Sequence, residues 1–421
     1  MPISKFYFFI FSLVLASAQQ IEIKLKNDLY SKGEWGSYYI LNSDGSYNHY
    51  FNIVPVDSVH LISNGDIYSK VFVQLFGSIK GLYGVNQVNR QLNYIEDAYP
   101  FLQKAFSVSF AKFGNEKVAA IINLNPNFKS HLGGLLGASR DNKGKWITTG
   151  EFDLRLENIR NRGNSLDLVW RQPDARSRFI NFSYETPNLI SLPFGSIFTF
   201  HQEFYEKTFF INTNSLFLTV IGPLGQWKIG GKAERSEDLH LNQRFKSKLG
   251  VLGLKGDRRN NRWLPYRGSF WEWNLSYGKL NDFIGKAQVA EFYMSIGEYK
   301  SLNNSVLFMS LLGKRNWVDN RNLSQSKVIR FGGSKLLRGY HDNQFYADWV
   351  FIQSTEWIFG PLDRTQLFLF ADIPFTSSLK IMPGYGLGIR QYNGSLSYNI
   401  SLGFPGRFSD GKIHISFTTD L

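Results

Sequence analysis

From His131 to Leu421 apolar and polar residues alternate with a period of two. That period belongs to β-strands, whose successive side chains leave opposite faces of the sheet. In "WEWNLSY" one face takes Trp271, Trp273, Leu275 and Tyr277, and the other takes Glu272, Asn274 and Ser276. "SLSYNISLGF" sets Leu396, Tyr398, Ile400, Leu402 and Phe404 against Ser395, Ser397, Asn399 and Ser401. "KIHISFTTDL" does the same with Ile413, Ile415 and Phe417 on its apolar side. The pattern predicts sixteen strands, at 131–140, 146–157, 163–172, 177–187, 194–204, 206–220, 225–235, 243–254, 269–280, 285–298, 303–314, 346–358, 364–373, 380–391, 394–403 and 411–420. An even number is what a bacterial membrane barrel requires. A soluble sandwich also alternates, but it rarely places Trp, Tyr and Phe on so many faces. Here aromatic residues reach 16% while mean hydropathy is only -0.23, as expected where lipid-facing and lumen-facing positions interleave.

The first residues read as a secretory signal peptide, 1–18. A short basic start precedes an apolar run from Phe6 to Leu15, and Ala16-Ser17-Ala18 offers a small-x-small cleavage site. The run is too short to span a bilayer, and no later segment reaches the roughly 18 apolar residues a membrane helix needs. An extension, 19–54, has no clear period. A small α/β domain follows at 55–127: a strand at 58–63, helical spacing over 66–80 and 85–99, then strands at 105–113 and 117–124. The order is β-α-α-β-β. The fold expected is therefore mainly β, a sixteen-stranded antiparallel transmembrane barrel at 131–421 preceded by one small α/β domain.

The net charge of +13 suits a lumen wall, loops and an anionic membrane face better than nucleic acid. With no cysteine there is neither a disulfide framework nor a thiolate metal site. The seven histidines have no metal-ligand spacing, and no nucleophile stands beside a base, so no enzyme, metal or cofactor is expected.

The longest interval between predicted strands runs from about Lys314 to Phe345 and contains "FGGSKLLRGYHDNQF". "GGSKLLRGY", then "STEW", then "LFLFADIPF" resembles the C-terminal region of the bacterial surface antigen superfamily, which includes BamA-type outer-membrane insertases and two-partner secretion transporters. The signature residues are Arg338-Gly339-Tyr340, Glu356 and Asp372. "LLGASRDNKGKW" and "RLENIRNRGNSLDLVWRQP" resemble the first hairpins of such a barrel, and the α/β domain resembles a polypeptide-transport-associated (POTRA) domain. The resemblance covers most of residues 55 to 421. It implies an inward-folded loop whose arginine latches onto both carboxylates. That latch is physically reasonable, because a guanidinium meets a carboxylate bidentately and keeps its charge. Gly332, Gly333 and Gly339 would let the loop turn and re-enter. A second expected site is a weak lateral seam between the opening strand (Gly133, Gly134, Leu135, Gly137) and the closing strand (Ile413, Ile415, Phe417). Its glycines equally suit simple relief of barrel curvature.

The chain departs from the insertases in having room for one transport-associated domain and in ending on Leu421. The resemblance implies an outer-membrane protein with its N-terminal domain in the periplasm. It would insert or translocate a polypeptide, with membrane lipid and possible periplasmic accessory proteins as partners. The alternatives are a passive pore or structural barrel, and a scaffold whose periplasmic domain recruits a subunit.

Overall fold

The computed structural model describes residues 20–421 apart from 64–66, 103–105, 114–116, 141–145, 175–176, 190–191, 207, 241, 335, 378–380 and 407. The expected signal peptide lies outside the described residues. The chain forms two compact units, one holding the described residues up to Asn93 with those of 104–125, the other those of 94–103 and 126–421.

In the first unit, the stretch read as lacking a period holds a helix, α1, over 20–32. It also holds a hairpin of β1 (Tyr38–Leu41) and β2 (Tyr47–Tyr50). Asp44-Gly45 marks the hairpin turn, with Gly45 at φ +83°. β3 (Val56–Ser63) leads to α2 (Ser69–Leu75) and α3 (Gly84–Ala98), then β4 (Phe106–Phe113) and β5 (Lys117–Leu124). β5 lies between a parallel β3 and an antiparallel β4. The expected helix 66–80 is shorter: α2 stops at Leu75 and tightens into a 3-10 turn at Gly77–Ile79, where glycine follows a β-branched segment of low helix propensity. Phe72, Phe76, Ile79, Val88, Val118 and Ile122 are buried in this unit.

The second unit is the barrel. Its strands are β6 (His131–Arg140), β7 (Trp146–Glu157), β8 (Ser165–Asp174), β9 (Ser177–Thr186), β10 (Gly195–Tyr205), β11 (Phe209–Gly222), β12 (Gly225–Asp238) and β13 (Gln243–Asp257). They continue as β14 (Gly268–Asp282), β15 (Gly285–Leu302), β16 (Ser305–Val318), β19 (Trp349–Phe359), β20 (Thr365–Thr376), β21 (Gly384–Tyr392), β22 (Leu396–Pro405) and β23 (Lys412–Asp420). Among the described residues these sixteen close on themselves, each antiparallel to its neighbours, and β23 meets β6. A short hairpin, β17 (Ile329–Phe331) with β18 (Phe345–Ala347), lies inside the long loop 319–348. We call the rim where the chain joins β6 and leaves β23 the near rim, and the opposite one the far rim.

Burial along the strands inverts the soluble pattern. In β11, Thr213, Ser215 and Thr219 face inward and are buried, while Leu216, Leu218 and Val220 point out and are exposed. In β20, Gln366 and Asp372 are buried inside and Leu367 and Leu369 are exposed outside. An outward apolar band on a closed wall is suited to hydrocarbon, because the wall pairs strand backbones with one another. Near one end of the band the indole N–H groups of Trp227 and Trp271 donate to the carbonyls of Pro223 and Leu224, 2.9 and 2.8 Å away. Such amphipathic rings favour a membrane interface.

Leu275 is outward and central in β14. Leu275→Lys is expected to destabilise the barrel by about 2–4 kcal/mol in vesicles, against little effect for the inward Asn274→Ala. Urea titration of the lipid-embedded protein, read by tryptophan fluorescence, checks this.

Candidate functional site: an inward loop and a lateral seam

Loop 319–348 folds inward and carries its own apolar core. Ile329, Phe331, Leu337 and Tyr340 are buried together with Val350 and Ile352 of β19. This packing holds the loop tip rigidly enough to deliver one charged side chain to the wall. Arg338 donates through Nε to Asp372 Oδ2 at 2.8 Å and through Nη2 to Oδ1 at 2.7 Å, a bidentate fork. Its backbone N–H adds a third bond to the same carboxylate at 3.0 Å. Nη1 donates to Glu356 Oε1 at 2.5 Å. Glu356 and Asp372 are almost fully buried. Burying charge is tolerable only when it is paired and hydrogen-bonded. The remaining charge on Glu356 is met by Arg390, whose Nη2 lies 2.7 Å from both carboxylate oxygens. Two guanidiniums thus balance two carboxylates. The guanidiniums also cover aromatic faces, Arg338 over Phe370 at 3.7 Å and Arg390 over Phe368 at 4.1 Å.

The loop turn depends on backbone that side chains would block. Gly339 has φ +91°, and Gly332 and Gly333 have φ +123° and +87°. A Cβ on Gly384 of β21 would fall 2.0 Å from the Arg338 carbonyl oxygen, and one on Gly403 of β22 would fall 2.6 Å from the Gly339 nitrogen. Gly339 N–H donates to His414 Nε2 of β23 at 3.2 Å, and the Tyr340 hydroxyl donates to the Met382 carbonyl at 2.8 Å.

The sequence reading missed several parts of this arrangement. Arg390, Gly384, Gly403 and His414 belong to none of the loop motifs it used, and Phe370, inside "LFLFADIPF", was assigned no role. It also missed a second foot of the loop. Lys327, its side chain only 3% exposed, reaches Glu234 of β12 and Glu291 of β15, each at 2.7 Å. Lys232 also bonds Glu291, and Ser326 meets Ser236 at 3.0 Å. The loop therefore touches the wall on two sides, β10 to β12 with β15, where Asn343 and Arg330 also meet Tyr205 and Phe209, and β19 through β23. Cavities of about 950 and 390 Å³ lie in the barrel, with Ser334 and Leu336 lining both. A buried lysine flanked by glutamates three strands apart leaves no local sequence pattern, so only the topology reveals it.

The expected seam residues fall on a sparse junction. Gly133 pairs with Thr418, Leu132 with Thr419 and His131 with Asp420, and there the β6–β23 register stops. Among the described residues no pair joins Gly134–Arg140 to Lys412–Phe417. On their other sides both strands are fully engaged: β6 pairs with β7 up to Arg140, and β23 with β22 from Lys412. Leu135 and Gly137 pair with Glu151 and Thr149, and the Leu135 side chain lies outside the described residues. Gly134, at φ +146°, sits where a Cβ would meet the Glu151 carbonyl oxygen at 2.2 Å. Ile413, Ile415 and Phe417 point outward and are exposed.

Arg338→Ala is expected to weaken loop seating by about 3–5 kcal/mol, since it strands the buried Asp372 carboxylate and leaves Glu356 with Arg390 alone. Arg338→Lys should recover little, because an ammonium cannot replace the bidentate fork. Amide hydrogen exchange across 329–347 reads both. Lys327→Met is expected to raise exchange chiefly at 323–328, leaving the Arg338 end protected.

No protein-family model matches the chain, and no curated protein matches it. Solved structures do. BamA from Haemophilus ducreyi lacking POTRA domains 1–3 aligns with a TM-score of 0.53 and 13% identity, over 96% of this chain and 93% of that one. CdiB from Acinetobacter baumannii gives 0.59 and 14%, over 96% and 82%. CdiB from Escherichia coli gives 0.61 and 11%, over 96% and 84%. The chain thus has the fold of the BamA and CdiB barrels, along almost its whole length.

Proposed function

We propose that this chain resides in a bacterial outer membrane, with its α/β unit in the periplasm, and inserts or translocates polypeptide through the barrel without covalent chemistry. The observation that carries this reading is the β6–β23 junction, which among the described residues has three register pairs at the near rim and unpaired edges beyond them. An unpaired strand edge is a template on which an extended polypeptide adds by backbone hydrogen bonds. The buried Arg338 cluster supports the reading, because it fixes a loop against the wall strands next to that junction. The β-α-α-β-β unit, which resembles a polypeptide-transport-associated domain, suits recruitment of an unfolded chain or an accessory protein.

A passive pore is the second reading, favoured by the cavity of about 950 Å³, whose lining includes Arg171, Arg178, Lys228 and Lys314. One experiment separates the two. The sequence has no cysteine, so Leu132→Cys with Thr419→Cys, a register pair on the outward face, forms the sole possible disulfide. Insertion or secretion of polypeptide is expected to fall at least tenfold on oxidation and to return on reduction. Undiminished activity, with the cross-link complete on a gel, would leave a closed barrel and the pore reading.

A further inference from the structure

Loop 258–267 joins β13 to β14 at the near rim. In ring order from β6 these are the eighth and ninth strands, directly across the barrel from the junction of β6 with β23. While Arg258 at its start forks onto Asp97, two other side chains of the loop reach that junction. Arg262 Nη1 donates to both oxygens of Glu157 on β7, at 2.9 and 3.0 Å. Trp263 stacks on Tyr392 of β21 with ring centroids 6.0 Å apart, and meets His131 of β6 edge-on at 5.1 Å. Its middle rests on the wall between, with Leu264 fully buried and Gln366 Nε2 donating to the Pro265 carbonyl at 3.2 Å.

The groups it grips are the ones that close the junction. Glu157 Oε2 accepts the Lys129 N–H at 2.8 Å, and Glu157 N–H donates to Ser130 Oγ at 2.9 Å. Lys129 Nζ reaches Asp420 at 3.2 Å, and the Tyr392 hydroxyl donates to the same carboxylate at 2.6 Å. Leu421 N–H donates to the Ser130 carbonyl at 2.9 Å. A ring of contacts runs Arg262, Glu157, Lys129, Asp420, Tyr392, Trp263 and back. It spans both sides of the junction.

The loop itself is pre-shaped. Asn261 Oδ1 accepts the N–H groups of Trp263 and Leu264, and Asn260 Oδ1 accepts those of Tyr266 and Arg267. Arg259 forks onto Asp257 at the base. By contrast Arg262 Nη2, Trp263 Nε1 and His131 Nδ1 are buried without a hydrogen-bond partner among the described residues. Release toward water restores hydrogen bonds that the closed clasp denies them, which lowers the cost of letting go.

We propose that loop 258–267 is a strap that holds the seam shut across the near rim, and that a polypeptide arriving in the lumen from that rim displaces it and frees the junction. Arg262 and Trp263 act as positioning residues: they set how firmly β6 and β23 stay together. The proposal rests on the seam reading above, and its test needs no substrate.

Spin labels at Phe152→Cys and Ile415→Cys, outward positions on either side of the junction, report its width by pulsed electron resonance in lipid nanodiscs. Arg262→Ala with Trp263→Ala is expected at least to double the population at long distance. Glu157→Gln, a milder change that keeps the shape, is expected to give an intermediate increase. Heat-modifiable mobility on a gel reports whether each barrel is folded. If the unaltered protein samples open distances and neither variant moves them, the strap is overturned while the seam survives. If the label distance is narrow and fixed in every form, the seam falls and the strap with it.

Discussion

A strand in hydrocarbon has no water to satisfy its backbone, so each edge must find another strand. Barrel closure is the general answer, and among the described residues fifteen of the sixteen junctions supply it with long registers. The β6–β23 junction does not, and the features around it follow from that shortfall. Gly134 sits where a side chain would strike β7. His414 on the under-paired strand takes a hydrogen bond from the inward loop. At the near rim, beside the three remaining register pairs, charges and aromatics brace what is left of the ladder: Lys129 with Asp420, Tyr392 with Asp420, Arg262 with Glu157. Side-chain contacts of this sort involve single groups that can exchange partners one at a time, which a continuous backbone ladder cannot do.

The inward loop meets the opposite problem, too much charge rather than too little pairing. An arginine carried into the barrel wall must bring its neutralisation with it or find it there. The wall answers with two carboxylates and a second arginine, leaving the cluster balanced and each guanidinium over an aromatic face. The Lys327 foot solves the same problem with Glu234 and Glu291 on other strands. Because the two feet share no side chain, release of one does not require release of the other.

Much of this was legible in the sequence, and the limits have physical causes. Period-two alternation is a strong signal over strands of this length, and the predicted ranges for β6, β7 and β9 differ from the observed ones by at most one residue. Ends were read short where strands run past the apolar band, as in β15, which continues to Leu302 instead of 298. The Arg338, Glu356 and Asp372 set could be read because it rides on a motif in consecutive elements. Arg390 could not, since an arginine on an alternating strand looks like any lumen residue. The hairpin at Tyr38–Tyr50 was missed although Asp44-Gly45 is a turn signal. Its strands are only four residues long and exposed on both faces, so no alternation marked them.

The two closures lie at opposite ends of one junction. At the far rim the β23 edge has no strand partner among the described residues, and the loop tip touches it through Gly339 and His414. At the near rim the register is intact, and loop 258–267 braces it. A chain adding to the free edge would extend toward the near rim by displacing Thr418 and Thr419 from Gly133 and Leu132. That displacement pulls on Asp420, whose carboxylate is shared by Lys129 and Tyr392, and Tyr392 carries Trp263. Strand addition from one end and strap release at the other therefore act on the same few residues, and in the proposed mechanism each lowers the barrier to the other.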